Sequence, residues 1–83
     1  MDTKIIIRFK NAKENQEFDI EVPLDITANE LIYGLKKGFK LPIDMDDPTQ
    51  CYMRAENPIA LIRGEASLES LGLRNGSVVY FEK

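Results

Sequence analysis

Apolar and polar residues alternate along Thr3–Lys10. Ile5, Ile7 and Phe9 fall on one side; Lys4, Arg8 and Lys10 fall on the other, with Ile6 among them. That period of two predicts a half-buried strand. The polar stretch Asn11–Gln16 predicts a hairpin loop. Alternation resumes over Glu17–Val22, with Phe18, Ile20 and Val22 inward and Glu17, Asp19 and Glu21 outward. Pro23 closes this strand and suits a sheet edge, because it has no N–H to donate. The basic outer face of the first strand then lies beside the acidic outer face of the second, which favours this register.

Over Ile26–Leu41 the period becomes helical. Leu31, Leu35 and Phe39, with Ala28 and Ile32, make one apolar stripe. Thr27 as N-cap and Glu30 three residues on form a capping box, and Ile26 with Leu31 forms the matching hydrophobic staple. Loss of the Thr27 hydroxyl is expected to cost about 1 kcal/mol. Lys36, Lys37 and Lys40 complement the C-terminal end of the macrodipole. Gly34 and Gly38 weaken the helix, and Pro42 forbids continuation beyond Leu41. One helix of this length needs a sheet to lie on.

Ile43–Gln50 reads as a loop punctuated by Pro48. Gln50–Ala55 and Ile59–Arg63 read as short strands around the turn Glu56-Asn57-Pro58, with Cys51 and Met53 inward and Tyr52 and Arg54 outward. Ser67–Leu71 predicts a short helical turn capped by Ser67. Asn75-Gly76 predicts a tight turn, and Ser77–Glu82 a last strand with Val79 and Phe81 inward. Such an order packs economically as one mixed five-stranded sheet on one helix, with the first and last strands central and parallel. This is the α+β arrangement called the β-grasp. Residues 1–83 are expected to form one domain, with a core small enough that nearly every inward apolar residue is needed.

Composition narrows the function. The chain has no histidine, which removes the commonest general base and metal ligand. Its net charge of −3 argues against nucleic acid, which needs a clustered basic surface. The lysines near the helix end read as dipole partners on a solvated face. Cys51 is the only cysteine, so no internal disulfide forms. It sits in a predicted strand without a basic neighbour and reads as a small hydrophobe; a Cys51 nucleophile is the weaker alternative. Asp44, Asp46 and Asp47 lack the ligand spacing and central glycine of a calcium loop. No signal peptide and no run long enough to span a bilayer is visible. No catalytic residue, metal, cofactor or small-molecule substrate is therefore expected, and a cytoplasmic location is.

Two resemblances sharpen this. FDIEVPLDIT with the capped helix, LPI after it, and SLESLGLRNGSVVYF resemble successive stretches of ubiquitin. The FDIEVP strand, the overall length, the Gly-Leu-Arg-Asn-Gly approach to the last strand and the abrupt end are similar to the YukD/EsaB family. That family comprises bacterial ubiquitin-like proteins associated with type VII (WXG100) secretion systems. The resemblance implies a cytosolic accessory or regulatory protein that binds cytosolic domains of membrane-embedded secretion components, without inserting in the membrane itself. Ubiquitin-like modifiers and sulfur carriers act through a terminal diglycine, whereas this sequence ends Tyr80-Phe81-Glu82-Lys83. Conjugation is thus not expected; a modifier or sulfur carrier after processing is the alternative. By the ubiquitin resemblance, members of the apolar patch read by ubiquitin receptors fall at Glu82 and near Tyr52, so those receptors are expected to bind poorly. The candidate interface residues are Ile6, Tyr52, Ile59 and Tyr80, as outward apolar or aromatic positions.

Overall fold

The computed structural model describes residues 3–82. Five strands and one helix follow one another: β1 (Lys4–Asn11), β2 (Gln16–Pro23), α1 (Ala28–Phe39), β3 (Met53–Glu56), β4 (Ala60–Ile62) and β5 (Val78–Phe81). They form one sheet in the order β2-β1-β5-β3-β4. β1 and β5 are parallel and the other neighbours antiparallel, so the chain must cross over once to bring its end beside its beginning. The predicted β-grasp is the observed fold.

The helix packs its stripe of Ala28, Leu31, Ile32 and Leu35 onto Ile5, Ile7 and Phe9 of β1, Met53 and Ala55 of β3, and Val79 and Phe81 of β5. Its first turn is fully accounted for. Thr27 Oγ1 accepts from the Glu30 N–H at 3.1 Å, and Glu30 Oε1 accepts from the Thr27 N–H at 2.9 Å. The Ala28 N–H donates to the Ala66 carbonyl and the Asn29 N–H to that of Gly64. Donors that a helix N-terminus ordinarily leaves open are thus closed by the 64–67 segment.

Several boundaries differ from the sequence expectation. The helix stops at Phe39, because Lys40 adopts the left-handed conformation with φ 54°. The Lys40 and Leu41 N–H groups both donate to the Lys36 carbonyl, and Leu41 then turns into the core. β3 starts at Met53 rather than Gln50, since Asp47 holds Thr49 and Gln50 in a turn. β4 keeps only Ala60–Ile62 of the predicted Ile59–Arg63, trimmed by the turn at Asn57–Ile59 and by Gly64 at φ 77°. Ser67–Leu71 forms hydrogen-bonded turns and no regular helix: Ser67 Oγ accepts from Ser70 N–H, and the Leu71 N–H reaches the Ser67 carbonyl. Phe18, predicted inward, remains 36% exposed at the β2 edge.

Candidate interaction surface

One face of the sheet carries the helix; the other is open. On the open face the cross-strand register lines residues up in rows. Glu17, Lys10, Tyr80, Arg54 and Leu61 make one row, and Asp19, Arg8, Val78 and Glu56 the next. Ile6 follows beside Glu21. Charges are paired within the rows, Lys10–Glu17 at 3.3 Å and Arg8–Asp19 at 3.2 Å, and diagonally between rows, Lys4–Glu21 at 3.7 Å. Arg54 meets Glu82 at 3.3 Å. These side chains are largely solvated, so each pair contributes about 0–1 kcal/mol and acts mainly on register.

Between the paired charges runs an apolar band. Ile6 is 52% exposed, with half-buried Val78 and Tyr80 beside it, and Leu61, 45% exposed, follows across Arg54. An open groove of about 380 Å³ lies along Ile6 and Val78, bounded by Arg8, Asp19 and the Asn75-Gly76 turn. That turn is fastened to β1: the Ile6 N–H donates to Asn75 Oδ1 at 2.7 Å, and the Gly76 N–H to the Ile6 carbonyl at 3.0 Å. Gly76 has φ 89°, which a side chain would strain. Tyr80 is held as well. Lys10 Nζ lies 5.5 Å from its ring centroid, and the Glu56 carboxylate acts on its phenol. Partial desolvation first, then the Glu56 carboxylate, hold the Tyr80 phenol above its ordinary ionisation range.

Of the four residues read from the sequence, Ile6 and Tyr80 share this face. Tyr52 lies with Tyr80, Arg54 and Glu82 around a shallow dent next to them. Ile59 does not join the face. It stands 91% exposed in the turn before β4. Two members were missed, Leu61 and Val78. The alternation that turns Val79 inward already turns Val78 outward, whereas Leu61 lies in a strand of three residues, too short for a period to assign its face.

Other polar groups are used locally. Asp44 and Asp47 accept hydrogen bonds from their own loop, through Asp46, Thr49 and Gln50. Cys51 is buried, with Sγ 3.5 Å from Asn29 Oδ1 and 3.8 Å from Met45 Sδ. Among the described residues, no group of three or more His, Cys, Asp or Glu could hold a metal ion. None of the described helices is long and apolar enough to cross a membrane.

The family model for YukD, a protein of the WXG100 protein secretion system (Wss), matches residues 5–81. This chain belongs to the YukD family. The match runs from the first strand to the last and takes in Ile6, Leu61, Val78 and Tyr80. No curated protein matches the sequence. Among solved structures, a ubiquitin-like domain from tubulin-binding cofactor B superposes with a TM-score of 0.71 at 18% identity, covering 96% of this chain and 89% of that one. The C-terminal ubiquitin-like domain of mouse tubulin-specific chaperone e gives 0.71 at 14% identity, over 95% and 84%. A de novo design based on ubiquitin gives 0.68 at 18% identity, over 95% and 87%. Those likenesses establish the ubiquitin-like fold; the link to WXG100 secretion comes from the family.

Proposed function

We propose that this YukD-family chain is a non-catalytic docking module of a WXG100 secretion system. It works in the cytoplasm, unconjugated, by binding cytosolic domains of the membrane components through the open face of its sheet. The observation that carries the reading is the band of exposed Ile6 and Leu61 and half-buried Val78 and Tyr80 among charges that already satisfy one another. Paired charges leave the apolar and aromatic side chains as the main free area to bury. Partially exposed tyrosine offers large contact area at low entropic cost, and a few such anchors carry most interface energy. Tyr52 extends the surface around the dent; Ile59 is a separate peripheral contact.

Deletion followed by complementation tests this. Loss of the chain should reduce or deregulate secretion of WXG100 substrates; the natural sequence should restore it, and Ile6→Asp should not. Unchanged secretion after deletion, or full rescue by Ile6→Asp, contradicts the reading.

A further inference from the structure

A second surface lies on the opposite side of the sheet, where the helix ends beside the β1–β2 turn. Cover of the inner face is incomplete there. Phe18 stacks on Phe39 with ring centroids 4.7 Å apart, and Phe39 on buried Phe9 at 4.9 Å. Next to this pair opens a groove of about 290 Å³, with Phe39, Leu41 and Pro42 among its apolar lining and Lys13 and Lys40 among its polar lining. Lys36 and Lys37 occupy the helix's last turn.

The charge here is unlike that of the open face. Lys4, Arg8, Lys10 and Arg54 each have a carboxylate partner. Among the described residues, Lys13, Lys36, Lys37 and Lys40 have none within 4.0 Å. Lys40 moreover occupies a left-handed backbone position that favours glycine. Lys37 lies over the Tyr33 ring at 5.6 Å, so a chain of net charge −3 gathers three cations without a carboxylate partner, Lys13, Lys36 and Lys40, near half-covered aromatic rings at one end.

We infer that this groove docks an acidic protein segment, one whose carboxylates flank an apolar or aromatic side chain. The apolar side chain rests against Phe39 and Phe18, and the carboxylates meet Lys13, Lys36 and Lys40. A recessed groove suits a side chain better than a lipid surface. The carboxylate of Glu14 at its rim and the chain's overall negative charge both oppose an anionic membrane.

The probe is the blocked peptide acetyl-Glu-Asp-Phe-Glu-Asp-Leu-amide, titrated into the ¹⁵N-labelled chain. Shift changes should cluster at Lys13, Phe18 and residues 36–42. Raising salt from about 50 to about 500 mM should weaken binding about tenfold. Lys13→Glu should weaken it severalfold. Lys40→Gly should do the same while raising the melting temperature, which separates lost contact from lost fold. Ile6→Asp, on the other surface, should leave peptide binding unchanged, so this inference and the docking reading above fail separately. No clustered shifts at millimolar peptide, or indifference to Lys13→Glu and salt, overturns the inference. So does lysine-dependent binding to phosphatidylglycerol vesicles without binding to the peptide.

Discussion

Ser77 shows how much one buried polar residue can hold at the residue scale. Its Oγ donates to the Asn57 carbonyl at 2.6 Å and accepts from the Arg74 N–H at 2.9 Å. Arg74 Nη2 returns to Asn57 Oδ1 at 2.6 Å. The β3–β4 turn is thereby fastened to the start of β5. Ser77→Ala removes both bonds, leaving the part-buried Asn57 carbonyl and Arg74 N–H without this partner, and is expected to cost about 1 kcal/mol, read by denaturant unfolding. Tyr80 gives a pH signature. Its folded-state ionisation lies above the ordinary tyrosine value of 10.0, so the native state binds that proton more tightly than the unfolded chain does. The resulting stabilisation is complete below pH 10 and is lost as pH rises through the raised folded value. The stability difference between the natural chain and Tyr80→Phe should therefore shrink between neutral pH and strongly alkaline pH. A constant difference contradicts the Tyr80 assignment.

At the scale of elements, the helix carries two correctable weaknesses. Gly34 sits in its exposed middle with open space where a Cβ would stand. Gly34→Ala is expected to stabilise by about 0.5–1 kcal/mol, a gain readable as a higher melting temperature. Lys40→Gly should gain about 1 kcal/mol by relieving the left-handed cap. Where sequence alone succeeded, a strong period met a strong boundary signal. The alternation Ile5–Ile7–Phe9 fixed the inward face of β1, and Thr27 with Glu30 marked the helix start. Failures came where local chemistry was silent. A lysine gives no warning that it will take a glycine's backbone conformation. Asp47 shortens β3 through loop hydrogen bonds, which a strand period does not register.

For the whole molecule, β1 beside β5 matters most, because that pairing is the longest-range contact and assembles the open face. Ile6 and Tyr80 are far apart in sequence, and only the parallel pairing places them on one surface. Their outward direction was legible from alternation. Their company, Val78 and Leu61 in the same band, was not, since it depends on register between strands. Ile59, read as an outward strand position, is outward but stands in the turn, because the β3–β4 ladder closes at Ala55 and Ala60. The result is a scaffold with apolar side chains exposed on one face of the sheet and a groove lined by Lys13 and Lys40 on the other side.

Affinity of the purified chain for the purified cytosolic domains of its secretion system's membrane components tests the central claim most directly, measured by calorimetry alongside a folded Ile6→Asp, Tyr80→Ala double variant. If the open face is the docking surface, the natural chain binds and the double variant binds at least about thirtyfold more weakly, the loss of one anchor worth about 2 kcal/mol. Equal affinity of the two proteins would contradict the account.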